Sequence, residues 1–578
     1  MKVGPIPTGL SRSRAAIVWL ALAAATFAGL LFLSRHLTFW QDEWAFIGGD
    51  PSGLASYLEP HNEHWSTIPL ILYRGVLSVV GLHSYLPYMA VLELLHIAAA
   101  GGAFVLLIRR LPGWAALLAV LPLLVLGSGF EDILWAFQIG FVASVAAGTW
   151  GLVALETDER PWTAIAGVAL LIAGLASSGM GIFFVVAAGV RLFIEPRFRR
   201  RSVWVLVPGV VFVAWYLAFG RHGSSGGFAS PGAVVRFLAR GLTYAVGRIA
   251  GFDLAGRIPT LAWIGGAAAL VLVVIVLVRQ AFGRLVAPLA LGGVVAATAM
   301  YIVIGLTRAD LPSDFATRSR YVYVAAFLLI PAAADLIASV ATGRRSPRVG
   351  VAALIALAVL SLGANVLDLA AGRTIFTRDA ALTRAYITVI GENPGVSWPD
   401  PSMPIGWPSP DRVAALLERY GSPLRDTLVA SNVIRPGKAQ LERALIALAQ
   451  GSFTVTPGAT PPDRPSGAPP VLDSSGMTTD AVDSCLSVTP TAPGGWLTVS
   501  VPDGGQLVVQ GAAPGATASL GRARPPAVSS AKELPASSDG ASSIRVPNLA
   551  GDTPWRVRLD LPGSAAARVC AFDAGPSG

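Results

Sequence analysis

Apolar segments long enough to cross about 30 Å of hydrocarbon as helices recur along this chain. They lie at 15–33, 86–108, 113–128, 139–155, 162–177, 203–219, 261–278, 285–306, 321–340 and 348–367, with a shorter one at 180–194. Backbone in lipid must satisfy its own N–H and C=O groups within each segment, which leaves helices as the structure for such runs. The expected fold class is therefore an α-helical polytopic membrane protein with about eleven transmembrane helices in residues 1–368. Composition agrees: 53% of residues are hydrophobic, 13% are charged and the mean hydropathy is +0.61, values foreign to a water-soluble domain.

Lys2, Arg12 and Arg14 precede the first segment, but no small-residue cleavage site follows before Trp40, so the segment reads as a retained first helix. Basic residues of the short loops set the orientation. Arg109 and Arg110, the Arg191–Arg201 stretch, Arg279 with Arg284, and Arg344, Arg345 and Arg348 all alternate onto one side, which is the expected cytoplasmic side. The N-terminus is then cytoplasmic, in a multi-pass protein of the plasma membrane. Residues 34–85, 129–138, 220–260, 307–320 and everything after about 368 lie outside. The net acidic loop from Glu156 to Arg160 departs from the pattern, although acidic residues weigh little in it. The formal net charge of +9 is thus mostly a topology signal; no basic domain points to nucleic acid.

Beyond the last span, 369–455 reads as an extracytoplasmic helical segment, with amphipathic helices at Asp411–Tyr420 and Lys438–Gln450. Residues 456–475 are Pro- and Gly-rich and read as a linker. From 476 to 578 short alternating runs (Trp496–Val501, Gln506–Gln510, Ser543–Val546, Trp555–Leu561) are separated by Gly, Pro and Ser turns, so the α+β region is expected to end in a small β-sandwich. The two cysteines of the chain, Cys485 and Cys570, fall in that sandwich, on the side where a disulfide is permitted. A carbohydrate-binding module and a plain spacer or assembly domain both fit such a sandwich.

Chemistry-bearing residues gather in the first outer loop. Asp42 and Glu43 stand just past the first helix in Thr38-Phe-Trp-Gln-Asp-Glu-Trp-Ala-Phe46, and His61-Asn-Glu-His-Trp65 follows with His61, Glu63 and His64. Carboxylates and imidazoles of this density, in a charge-poor protein, supply general-base and metal-ligand chemistry. Taken singly, each also fits a hydrated cap near the headgroups. Asp42, Glu63, His64 and Glu131 form the candidate ligand set of a divalent cation, the one cofactor considered. Glu131 and Asp132 lie in a tight loop, Gly127-Ser-Gly-Phe-Glu-Asp-Ile-Leu-Trp-Ala-Phe-Gln138. Arg318-Ser-Arg-Tyr-Val-Tyr323 opens the span at 321–340, and the forked guanidinium of an arginine suits a phosphate. The loop 220–260 carries Arg221, Arg236, Arg240, Arg248 and Arg257 against Asp253, which fits an interfacial helix or a portal for lipid phosphate.

These features together resemble the C-type glycosyltransferase superfamily, the GT-C fold, and within it the bacterial aminoarabinose transferases and protein O-mannosyltransferases. An acidic pair after helix one, a His-containing patch, a juxtamembrane helix at 67–80 ending in Gly81 and a second span ending in Arg109-Arg110 carry the resemblance. It is clearest over 38–111, extends over 15–340 and does not reach the C-terminal region; the patch lacks a Pro-Pro, and no Arg precedes the second-loop acid. The resemblance implies an inverting glycosyltransferase that moves a sugar from a polyprenyl-phosphate donor to an acceptor hydroxyl on a glycan, lipid or protein at the outer face. Asp42, with Glu43, would supply catalysis. His61, Glu63, His64, Glu131, Asp132, Arg318, Arg320 and Tyr321 would bind substrates, and membrane lipids would be the remaining partners.

Three rivals stand beside this reading. A transporter or lipid flippase predicts ionisable residues at mid-membrane, where Glu93 with His96 is the main instance. A non-catalytic envelope assembly protein predicts that Asp42→Asn is silent. An O-antigen-type polymerase would use the arginines of 220–260. The bias to Arg, Ala and Gly suits a GC-rich bacterium.

Overall fold

A computed structural model of the chain describes residues 11–49, 53–61, 63–157, 160–195, 202–223, 228–253, 259–282, 288–341, 347–425, 435–458, 465–522, 529–535, 540–549 and 553–573. The basic loop residues Arg197 to Arg201, Arg257, Arg284, Arg344 and Arg345 lie outside the described residues.

Every apolar segment read from the sequence falls on a helix. The helices are α1 (Arg12–Ser34), α2 (Glu43–Gly48), α3 (Thr67–Val80), α4 (Leu86–Ile108), α5 (Gly113–Leu124), α6 (Phe130–Leu134), α7 (Ile139–Thr157), α8 (Pro161–Leu175) and α9 (Gly181–Ile194). They continue with α10 (Ser202–Ala218), α11 (Pro231–Ile249), α12 (Pro259–Phe282), α13 (Pro288–Arg308), α14 (Ser319–Ala341), α15 (Pro347–Glu392), α16 (Pro410–Tyr420) and α17 (Lys438–Ala449). Among the described residues, 7 segments are long and apolar enough to cross a membrane, and shorter apolar helices include α3, α8 and α9.

The chain divides into two compact units. The first comprises residues 1–39, 49–378 and 427–432. Its helices approach closely at small residues, as expected where lipid provides no hydrophobic drive between helices. Gly292 of α13 lies against the Ala187 carbonyl of α9, and Gly293 against the Leu328 carbonyl of α14; a Cβ at either position would collide with backbone. α11, the amphipathic helix of the loop at 220–260, packs against α12, α13 and α14. Its Arg248 is bound by two buried carboxylates, Asp253 at 2.6 Å and Asp368 of α15 at 2.8 Å.

A two-residue hairpin precedes α3: β1 (Pro60–His61) pairs with β2 (His64–Trp65), with His61 directly opposite His64. Glu63 takes φ +70° to close it. The hairpin is tied down by stacking of Trp65 on Trp215 at 5.1 Å, and the Ile68 amide at the head of α3 donates to the Ala176 carbonyl.

The second unit comprises residues 40–48, 379–426 and 433–578. It takes in α2, the end of α15, α16, α17 and two antiparallel sheets. One sheet holds β10 (Lys532–Glu533), β9 (Thr517–Gly521), β12 (Trp555–Asp560), β7 (Trp496–Val501) and β4 (Val471–Ser475), in that order. The other runs β3 (Thr454–Pro457), β11 (Ala541–Arg545), β8 (Gln506–Gln510), β13 (Ala567–Phe572), β6 (Cys485–Pro490) and β5 (Met477–Val482). Leu497, Val499 and Val501 alternate into the core, as do Trp555, Val557 and Leu559, the period of two expected of half-buried strands. The stretch 456–475 read as a linker is strand at both of its ends, since β3 runs on to Pro457 and β4 occupies Val471–Ser475 within it, paired to β11 and β7.

Cys485 and Cys570 form a disulfide between directly opposed residues of β6 and β13. It closes a loop of sequence separation 85, for which chain entropy gives about 4–5 kcal/mol. Cys485→Ser with Cys570→Ser is therefore expected to lower the unfolding midpoint of the second unit, measured by thermal melting with and without reductant. A midpoint indifferent to both would refute that contribution.

Candidate functional site

In the first unit the chemistry gathers where the His hairpin, the end of α13, the head of α14 and α6 meet. α13 ends in Arg308, whose guanidinium donates to the Tyr321 hydroxyl at 2.7 Å and lies 3.7 Å from the Glu63 carboxylate. Tyr321, on the first turn of α14, is fully buried, which fixes that guanidinium against the helix head. Arg320 stands beside it, and its Nε is buried without a hydrogen-bond partner among the described residues. Arg318 lies over the Phe315 ring at 4.9 Å, just before α14 begins.

His64 is half-buried between these groups. Its Nδ1 would lie 3.0 Å from a Cβ at Gly179, and its ring meets Phe141 edge-on. Burial, and then the charges of Arg308, Arg320 and His61, push its pKa down to about 4. Burial alone lowers that of His61, which packs edge-on to Phe137. Both imidazoles are thus neutral near pH 7 and keep one acceptor nitrogen each.

The sign of the resulting pH dependence is fixed. Below the ordinary value of 6.5 the unfolded chain takes up a proton that folded His64 refuses until about pH 4, so stability falls as pH drops through that window. His64→Gln is expected to flatten the fall in melting temperature between those two pH values. Equal slopes for the variant and the wild type would contradict a neutral His64.

The two acids of the second loop have different environments. The Glu131 carboxylate accepts from the Ser319 hydroxyl at 2.8 Å and the Arg320 amide at 3.3 Å, so it caps the N-terminus of α14. Asp132 is fully buried, and neither of its oxygens has a hydrogen-bond partner among the described residues. It is within electrostatic reach of Glu131, Arg320 and Tyr323. Tyr323, one turn into α14, is 2.9 Å from His96 Nδ1 of α4, and His96 Nε2 is 3.1 Å from the Leu124 carbonyl, which can only accept. The ring therefore donates through Nε2 and accepts the tyrosine proton at Nδ1.

Asp42 and Glu43 belong to the second unit. Glu43 is fully buried and its carboxylate accepts from the Trp40 amide at 2.6 Å, a cap on the short helix α2. Asp42 is half-buried against Gly406, which has φ +80°. A Cβ at Gly406 would stand 2.7 Å from the Asp42 carboxylate, so the position demands glycine on both counts. Trp44 packs on Trp407 at 4.4 Å, and Arg412 of α16 donates to the Gly48 carbonyl at 3.0 Å.

The structure thus brings Glu63, His64, Glu131, Asp132, Arg320 and Tyr321 into one neighbourhood of the first unit and gives Asp42 and Glu43 to the second. Sequence reading missed Arg308, Ser319 and Gly406. An arginine closing a span at the loop 307–320, which the charge pattern reads as outer, goes against the positive-inside trend and was the available signal for Arg308. Among the described residues no three His, Cys, Asp or Glu side chains are grouped as a metal shell. Arg308 and Arg320 also set positive charge beside His64.

No family model matches the chain, and no curated protein matches it. Among solved structures, the chain is similar to the cryo-EM structure of the arabinosyltransferase EmbB from Mycobacterium smegmatis, with 13% sequence identity and a TM-score of 0.35. The match covers 99% of this chain and 65% of that one, so the chain spans just under two thirds of the solved chain's length. A likeness of this degree carries no argument about chemistry, which rests on the side chains.

Proposed function

We propose that this chain is a membrane glycosyltransferase that moves a sugar from a polyprenyl-phosphate donor to an acceptor hydroxyl. The observation that carries this reading is the pair Arg308 and Arg320 around neutral His64. The two guanidiniums form a compact cationic site at the ends of two apolar helices, the level at which a lipid-borne phosphate would lie. Because the Glu131 carboxylate already caps α14, the phosphate is held by these side chains and not by the helix terminus.

In the reaction the acceptor oxygen forms a bond to the anomeric carbon as the bond from that carbon to the phosphate oxygen breaks. The electron pair leaves with the polyprenyl phosphate, whose charge Arg320 and Arg308 offset. The acceptor proton passes to a carboxylate, which the sequence resemblance assigns to Asp42. A single in-line displacement inverts the anomeric configuration. His64 is an uncharged hydrogen-bonding group for sugar hydroxyls. The resemblance also supports a plasma-membrane location with the site on the outer face.

A transporter reading draws on buried polar groups among the helices, Glu93 of α4 bonded by Ser34 at 2.9 Å and Arg248 of α11 with Asp253 and Asp368. Radiolabelled polyprenyl-phosphate sugars offered to membranes with envelope acceptors separate the two. Covalent label on the acceptor, dependent on the protein, supports transfer. Label that crosses the membrane without entering an acceptor sinks the transferase reading.

A further inference from the structure

A cavity of about 230 Å³ opens within the first unit, between α5, α11, α12, α14 and α15. Its wall includes Trp114 and Leu118 of α5, Ile249 of α11, Ile330 of α14, and Leu357 and Ser361 of α15. The Ser361 hydroxyl is already donated to the Ile249 carbonyl, so apart from the Trp114 indole the side chains of the wall are apolar and offer little to hold water. An apolar volume of this size stays dry in a protein interior and accepts hydrocarbon ligands.

The ends of the helices place it along the bundle. α14 begins at Ser319 beside Glu131 and Arg320, and the cavity is lined by its middle and later turns, Ala326 to Ile337. α5 contributes from Trp114, just after its start, and α15 contributes Leu354 to Ser361 from its first half. Taken together, the lining runs from the middle of the bundle, with α5 contributing along its length to Leu123, toward the end opposite the Arg308 and Arg320 cluster, where Arg109 and Arg110 precede α5 and pair with Glu156. Asp335, next to the lining residue Leu336, is within electrostatic reach of Arg110. Trp114 there has the position of an interfacial aromatic anchor.

We propose that this cavity is a lipid site holding one acyl chain of a glycerophospholipid, whose headgroup lies at the Arg109 and Arg110 end. The enclosing α5 and α14 belong to spans, so the medium outside the opening is hydrocarbon, and an acyl chain fills the volume without dehydrating anything. The proposal does not depend on glycosyl transfer. The ligand is a bulk membrane lipid, whose two-chain headgroup end suits the basic end of the bundle, and the polyprenyl donor is the rival occupant that the test separates.

The test is photolabelling of the full chain in lipid nanodiscs that carry a trace of phosphatidylcholine with a diazirine in one acyl chain, followed by peptide mapping. Adducts concentrated on 114–123 and 326–337, and reduced at least several-fold by Ala333→Trp and by Ala119→Phe, are expected. The two fillings enter from different walls, and the wild-type map needs neither variant to fold. Adducts spread evenly over exposed faces such as Leu20 and Leu206 would overturn the proposal. So would labelling of the same peptides by diazirine polyprenyl phosphate in place of the phospholipid.

Discussion

Arg320→Ala is expected to lower kcat/KM for sugar transfer by on the order of 10²–10³ in a protein that still folds. The leaving phosphate gains charge as the glycosidic bond breaks, and a guanidinium fixed in place stabilises that charge more than it stabilises the bound donor. Arg320 is the sharper probe of the pair. Arg308 also holds the Tyr321 hydroxyl and faces Glu63, so its removal mixes structural with catalytic loss. Arg320 has a buried Nε with no hydrogen-bond partner among the described residues, so alanine there breaks no bond of that atom, and its cost to the fold is the loss of a positive charge beside Asp132 and His64. Lysine at 320 keeps the charge but loses the fork, and an intermediate rate is expected. Steady-state kinetics over donor concentration, on purified protein in nanodiscs, check both variants. A wild-type kcat/KM in Arg320→Ala would remove the phosphate role and with it the main support for the transferase reading.

The membrane helices were legible because burial in lipid is written locally, in runs of apolar residues that end at arginines. The amphipathic helices α16 and α17 were legible for the same reason, since Val413 and Leu416 sit one turn apart on the buried face. α15 was only half legible: its apolar run stops near 368, yet the helix continues to Glu392 through residues such as Ala380, Ala381 and Ala385 that pack within protein. Hydropathy marks where lipid ends and says little about where a helix ends.

The site was legible in residue type and opaque in assignment. Glu131 and Asp132 are adjacent and equivalent in sequence. What separates them is Ser319, 188 residues away, which engages Glu131 as a cap and leaves Asp132 buried without a hydrogen bond. Arg308 similarly acquires its role from Tyr321 and Glu63. The capping role of Glu43 was within reach, because a carboxylate three residues after a chain turn can bond back to the first amide, as it does to Trp40. The partition of the first outer loop between two units, Asp42 in one and His64 in the other, has no local signature at all.

Asp42→Asn is expected to reduce kcat by 10²- to about 10⁴-fold at matched protein level, the range a positioned general base contributes. Asparagine keeps the size of the side chain, exchanges one acceptor oxygen for an NH2 donor and removes its basicity, so a loss of rate with an unchanged melting curve points to proton transfer. Gly406 supplies a second, independent handle. Its φ of +80° and the 2.7 Å approach of a Cβ to the Asp42 carboxylate mean that Gly406→Ala must displace that carboxylate while leaving its chemistry intact. A base acting at a fixed position loses rate on displacement, whereas a carboxylate acting as a diffuse charge does not. The decisive comparison sets Asp42→Asn and Gly406→Ala against Asp132→Asn, the variant of the other carboxylate available to accept a proton. Loss in the first two with substantial activity in the third assigns the base to Asp42. Loss in Asp132→Asn with an active Asp42→Asn transfers the role to the first unit, beside the arginines proposed to hold the phosphate.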